Sequence, residues 1–225
     1  MTPDGNVLAL VARYPRLGAV KTRLAAALGS QPVYALYCAF LRDLAERLAD
    51  SPWTLHWLYT PEDAPFRAWL GTDQAASPQH GVTFNDRLLN GFRRLNGSHA
   101  KVIIMSTDSP HIPLDWIAEG FARLDQHDVV LGPCTDGGYY LVGMREAHDI
   151  FTGIRMSTST VLAETQALAV QRGLRTALLP ETFDVDNLDG LAELASWLGD
   201  SAEGLPRTRA LLTVSSPLEI PVTLP

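Results

Sequence analysis

Four aspartates spread over three loops carry the chemistry this chain could do. Asp108 stands in Ser106-Thr-Asp-Ser-Pro110, and Asp136 in Gly132-Pro-Cys-Thr-Asp-Gly-Gly-Tyr-Tyr140. Asp184 and Asp186 stand in Phe183-Asp-Val-Asp-Asn-Leu-Asp189. Magnesium takes oxygen ligands, commonly one or two carboxylates with substrate phosphates and water completing its shell. Asp108 with Asp186, or with Asp184, would supply such a pair, and Asp108 and Asp136 are the candidates for the chemical step. Plainer readings stand beside these. Asp108 could only cap a turn, and Asp184, Asp186 and Asp189 flank a helix start, where the dipole favours negative charge.

A basic loop complements the acids. Arg13, Lys21 and Arg23 crowd around Pro15 and Gly18 in Arg13-Tyr-Pro-Arg-Leu-Gly-Ala-Val-Lys-Thr-Arg23. Cations between a strand and a helix suit a polyphosphate whose charge grows during transfer; a solvated basic loop is the alternative. Neither a phosphate-binding Gly-x-x-x-x-Gly-Lys-Ser/Thr loop nor a Gly-x-Gly-x-x-Gly fingerprint is present. Gly137-Gly138, followed by Tyr139, could seat a ligand against backbone amides or merely form a hairpin turn. Of the six histidines only His111 is placed to face such a site. Ser106 and Ser109 lack the Gly-x-Ser-x-Gly elbow of a hydrolase.

Positioning these loops requires a sheet. Val102-Ile-Ile-Met105 is an unbroken apolar run, the mark of a strand buried on both faces, and Asp108 follows its carboxyl end, where open α/β sheets bind ligands. Further strands are expected at Val7–Ala12, Thr54–Tyr59, Val129–Leu131, Tyr139–Val142 and Ala177–Leu179. Apolar residues at three- and four-residue steps place helices at Val33–Leu48, Phe84–Leu95, Leu114–Leu124, Val161–Leu168 and Leu188–Leu198, the last with Asn187 as N-cap. This alternation predicts a single-domain α/β fold, Rossmann-like, with a mostly parallel central sheet and helices on both faces, over residues 1–200. Residues 201–225 read as a C-terminal tail packed on that domain or extending from it.

The bulk numbers narrow the partners. At 225 residues, with 46% hydrophobic content and 19% charged residues, the chain can bury a substantial core. A net charge of −7 argues against nucleic acid as the main partner. Cys38 and Cys134 show neither metal-ligand spacing nor a disulfide framework. No run is long enough for a membrane span and no signal peptide is evident, so a cytoplasmic location is expected.

Four ordered motifs carry a resemblance. Pro15-x-x-Gly18-x-x-Lys21-Thr-Arg-Leu24, Ser106-Thr-Asp-Ser-Pro110, Gly132-Pro-x-x-Asp136-Gly-Gly-Tyr-Tyr140 and Asp184-x-Asp186 together resemble the DUF2064 family, over about residues 7–198. Its members are described as glycosyltransferases of the nucleotide-diphospho-sugar transferase superfamily with the GT-A fold. The resemblance implies that Asp108 belongs to the metal-binding acidic motif, holding Mg2+ or Mn2+, and that Lys21 and Arg23 face nucleotide phosphates. Two segments depart from the family pattern: Met156-Ser157-Thr158 stands for Trp-Ser-Thr, and Asn85-Asp86-Arg87 for Gly-x-Arg. Both segments are expected to touch the transferred group or the acceptor, which makes Arg87, Ser157 and Thr158 expected substrate contacts beside Gly137, Gly138 and Tyr139 of the glycine turn.

The expected function is metal-dependent transfer of a sugar from a nucleotide-sugar donor to a small-molecule acceptor. The alternatives are a nucleotidyltransferase, which the basic loop favours, and a nucleotide-sugar binding protein without catalysis. A homodimer is left open. Two consequences follow for variants. Asp108→Asn should cost little stability if its carboxylate is an exposed loop group, and the effect of Lys21→Ala on nucleotide affinity should shrink with salt if the loop is open.

Overall fold

The structure, a computed structural model, describes residues 5–200 and 204–213. The apolar runs form one seven-stranded sheet of β1 (Asn6–Arg13), β2 (Thr54–Thr60), β3 (Ala75–Pro78), β4 (Lys101–Ser106), β5 (Val129–Pro133), β6 (Tyr139–Met144) and β7 (Thr176–Leu178). Their order is β3-β2-β1-β4-β6-β5-β7. Every adjacent pair is parallel except those of β6, which runs against β4 and β5. The reason is local: a parallel return needs a crossover of a dozen or more residues, and the turn between β5 and β6 is far shorter.

Eight helices are found among the described residues: α1 (Thr22–Leu28), α2 (Ser30–Arg47), α3 (Phe66–Leu70), α4 (Phe84–Asn96), α5 (Leu114–Arg123), α6 (Val161–Gln171), α7 (Leu188–Asp200) and α8 (Pro206–Thr213). Side-chain alternation along β1 divides the core. Leu8, Leu10 and Ala12 pack with α2, α3 and α5 through Tyr37, Leu41, Phe66 and Phe121. Val7 and Ala9 face the other way, onto Leu88 and Phe92 of α4 and Ala169 of α6. Val102 to Met105 of β4 are buried, as a central strand covered on both sides requires. The fold is thus the expected α/β sheet with helices on both faces.

A third apolar cluster holds the far end of the chain. Leu24 of α1, Val33, Leu36 and Phe40 of α2, Val185 in the loop before α7, Leu194 and Leu198 of α7, and Leu205 pack together. Beyond α7 the chain forms α8, which lies on α2; residues 201–203 and 214–225 of the expected tail lie outside the described residues. No helix among the described residues is long and apolar enough to cross a membrane.

Candidate active site

Parallel strands send their carboxyl ends to one edge of the sheet, and antiparallel β6 sends its amino end there. The loops after β1, β4, β5 and β7 therefore converge, and they enclose a cleft of about 920 Å³. Arg13, Lys21, Arg23, Arg87, Asp108, Asp136, Gly138, Tyr139, Ser157, Thr158 and Asp186 all line it, together with Asp184. Gly137 does not.

Lys21 is the centre of the arrangement. Its Nζ lies 2.6 Å from Asp108 Oδ1 and 2.7 Å from Asp186 Oδ1, and its side chain is only 4% exposed. Burial opposes the charge, but the two carboxylates outweigh it and raise the ammonium's pKa. The expectation of an open, salt-sensitive loop lysine is therefore corrected: Lys21 is an interior cation. Asp108 is corrected with it, since it is paired to a buried charge and is more than an exposed loop carboxylate. The placement of Lys21 has a backbone cost, which Ser157 shares. Lys21 (φ 47) and Ser157 (φ 64) are the described non-glycine residues at positive φ, a conformation about 1–2 kcal/mol unfavourable, and both line the cleft.

The acidic loops are laced to one another. Ser106 Oγ accepts from the Asp108 amide (3.0 Å), and Thr107 Oγ1 donates to Val11 O (3.1 Å), holding the end of β4 to β1. Ser109 Oγ donates to Phe183 O (3.0 Å) and the Val185 amide to Asp108 O (2.9 Å), which brings Asp184 and Asp186 beside Asp108. Beneath them His111 stacks on Phe183 with ring centroids 4.0 Å apart, and its Nε2 lies 3.0 Å from Thr182 Oγ1. His111 is buried and supports the loop from below, so the expectation that it faces the site is overturned. Asn187 caps α7 as expected, its side chain accepting from the Gly190 amide at 2.9 Å.

Charge immediately around Lys21 is unbalanced. Burial, then the neighbouring Asp186 and Asp136 carboxylates, push the Asp184 carboxyl up to about 6 despite Lys21. Four carboxylates thus face one interior ammonium. All are hard oxygen donors, the chemistry a magnesium or manganese ion selects. Among the described residues no three acidic, histidine or cysteine side chains converge as a ready cage. The donor set suits an ion that takes Asp108 and Asp186 and fills its remaining positions with water and phosphate oxygens. Arg13 and Arg23 are exposed, line the same cleft, and make no ion pair among the described residues.

The turn after β5 lies alongside the Thr182 segment, its Thr135 amide donating to Thr182 O, and the segment before α6 comes next. Asp136 Oδ1 accepts from the Gly138 amide at 2.8 Å, leaving an exposed carboxylate at the cleft. Gly137 carries the positive φ (87°), and a Cβ there would lie 2.1 Å from Ser159 O; its carbonyl accepts from the Leu162 amide at the start of α6. It is the packing glycine and Gly138 the lining one. Tyr139 buries its hydroxyl, whose pKa burial raises. Asn85 donates to Phe151 O and Ile154 O and so anchors the segment leading to Ser157 and Thr158. Arg87 lies over the Phe84 ring, with its Nε buried and unpartnered. One residue escaped the sequence reading. Tyr37 lines the cleft floor, its hydroxyl donating to Arg13 O and accepting from the Arg13 amide. Burial and the Asp108 charge push that hydroxyl up to about 12. Its position in the stripe of α2 marks it only as core.

A family model described as "Uncharacterized protein conserved in bacteria (DUF2064)" matches residues 41–158. The chain belongs to this family. The DUF2064 fold recurs across 94% of the chain in a crystal structure from Desulfovibrio desulfuricans G20, described as a candidate nucleotide-diphospho-sugar transferase. That chain is covered to 95%, at 30% identity and a TM-score of 0.88. More distant structures share the fold. A nucleotidyl transferase from Methanothermobacter is 13% identical, with 86% of this chain and 97% of that one covered and a TM-score of 0.58. A CMP:2-keto-3-deoxy-manno-octonic acid synthetase complexed with CTP is 12% identical, with 87% and 99% covered and a TM-score of 0.50. No curated protein matches the DUF2064 chain.

Proposed function

We propose that this protein is a transferase acting on a nucleotide-diphospho-sugar, moving the sugar to the hydroxyl of a small acceptor. The observation that carries the reading is the joining, in one cleft, of the Arg13, Lys21 and Arg23 loop with the carboxylates of Asp108, Asp136, Asp184 and Asp186. Arg13 and Arg23 bind diphosphate oxygens, whose negative charge grows as the bond to the sugar breaks. Asp108 and Asp186 would hold a divalent ion. When bound, such an ion neutralises charge on the departing diphosphate. Asp136, exposed in the same cleft, takes the proton of the acceptor hydroxyl as its oxygen bonds to the anomeric carbon and the nucleoside diphosphate leaves. Arg87, Tyr139, Ser157 and Thr158 contact the sugar or the acceptor, and the Desulfovibrio relative's description supports a nucleotide-sugar donor.

A second reading has its own support. Exposed cations after β1, on a fold shared with nucleotidyl transferases, suit attack of a substrate phosphate on the α-phosphorus of a nucleoside triphosphate. One experiment separates the two. Incubated with panels of nucleotide sugars and nucleoside triphosphates, the protein should release nucleoside diphosphate from a nucleotide sugar. Pyrophosphate release from a triphosphate would replace the first reading by the second. Binding without either product would leave a nucleotide-sugar binding protein.

A further inference from the structure

Lys21 and Lys101 are the only lysines in the chain; every other basic side chain of this type is an arginine. Lys101 has an ordinary task, bridging Phe121 O and the exposed Asp125. Lys21 does not. A guanidinium is a flat fork that pairs with one carboxylate edge to edge, whereas an ammonium is a compact point charge that fits between two carboxylate oxygens much as a metal ion does. Its two contacts, 2.6 and 2.7 Å long, fall on the pair of oxygens that a cation shared by Asp108 and Asp186 would also approach. The φ of 47° at Lys21 belongs to the same arrangement, because the chain enters α1 through a strained residue that carries the ammonium.

We infer that Lys21 is a built-in stand-in for the divalent ion: its ammonium holds Asp108 and Asp186 together in the empty protein and gives way when metal and phosphate enter. This rests on the reading of those carboxylates as the metal's ligands. Its chemistry follows from charge. Lys21 is the one cation paired with these carboxylates among the described residues, where Arg13, Arg23 and Arg87 line the cleft without an ion pair to them. A divalent ion is therefore the stronger neutraliser at Asp108 and Asp186 once phosphate oxygens and water complete its shell. Nζ has no other hydrogen-bond acceptor among the described residues, so leaving Asp186 breaks no further bond in the protein. The released ammonium keeps three donors, which the entering phosphate oxygens can accept. Metal alone should therefore bind poorly to the native protein, and metal with a diphosphate well.

The test is direct metal binding, followed by electron paramagnetic resonance of free Mn2+. Lys21→Met removes the competing charge and keeps the stem, so Mn2+ alone should bind it more tightly than the native protein, by about 5–150-fold for a coupling of ordinary size. Equal or weaker binding overturns the inference. The underlying reading is judged separately. Native protein should take up Mn2+ in the presence of inorganic pyrophosphate and lose it in Asp186→Asn, and failure there removes the metal site itself. A second measurement needs no variant. Native protein labelled with 15N-lysine gives side-chain signals from two residues only, and saturating Mg2+ with pyrophosphate should move that of Lys21 while sparing Lys101. An unmoved Lys21 signal overturns the exchange even if Lys21→Met fails to fold.

Discussion

Single residues at this site have two tasks, and the pairing of Lys21 decides how each behaves when changed. Asp108→Asn keeps the shape of the side chain and removes its charge, leaving a buried ammonium with one carboxylate in place of two. Urea unfolding should reveal a loss of about 1–3 kcal/mol, and product formation should fall by at least about 100-fold. A variant with native stability would return Asp108 to the solvated surface. His111 sets a pH dependence. Burial holds its imidazole down to about 4 from an ordinary 6.5. Between those values the unfolded chain takes up a proton that the folded chain refuses, so stability is lost as pH falls, by about 1–3 kcal/mol for this residue. His56, also held at about 4, adds to the loss. His111→Phe keeps the stack on Phe183 but forfeits Thr182, so it should be less stable than the native protein at pH 7. That deficit should shrink or reverse at pH 5, compared by urea midpoints. Asp108, Asp136 and Asp186 could be read as edge residues because each follows an apolar strand, whereas Arg87, Ser157 and Thr158 rested on the family resemblance. What the runs could not reveal was which groups touch, since Lys21 and Asp186 are 165 positions apart.

At the scale of elements, legibility followed the strength of the local pattern. β4 and β1 announce themselves as apolar runs, and α4 carries a capping box between Thr83 and Asp86 at its start. The short pieces do not. α3 has five residues and β3 four, and β3 (Ala-Ala-Ser-Pro) lacks the β-branched and aromatic residues that mark a strand. α1 begins at a lysine in the left-handed region with no side-chain cap, so the usual start signal is missing. The Gly137-Gly138 turn looks like two equivalent glycines in sequence, and the structure separates them. Gly137→Ala should destabilise by about 3 kcal/mol or more, since φ is positive and the new methyl meets a carbonyl oxygen. Gly138→Ala meets only Asp136 Oδ1 at 3.0 Å, so it should keep its melting temperature and alter catalysis. Equal melting temperatures for both variants would refute the division.

Across the whole molecule, α8 is latched to α2, far from it in sequence. Asp43, buried in the middle of α2, accepts from the Arg207 and Thr208 amides and from the Thr208 hydroxyl (3.2, 2.8 and 2.7 Å). It thereby caps α8 from another helix, with Pro206 at the first position, where its missing N–H costs nothing. Asp43→Ala strands those donors and should cost about 2–4 kcal/mol in thermal or urea unfolding. Thr208→Val should cost less, because the amide contact survives. An unchanged midpoint in Asp43→Ala would mean that α8 is not held there.

The same latch has a bearing on synthesis. Leu205, just ahead of α8, packs in one cluster with Leu24 and Val185, the near neighbours of Lys21 and Asp186. A ribosome makes α1 and its lysine well before the residues that back them. While α8 is still in the exit tunnel, the wall behind the Lys21 clamp lacks Leu205 and the cap on α2 has nothing to hold. The cleft should therefore acquire its final shape only after α8 has left the tunnel, however early the sheet itself has formed.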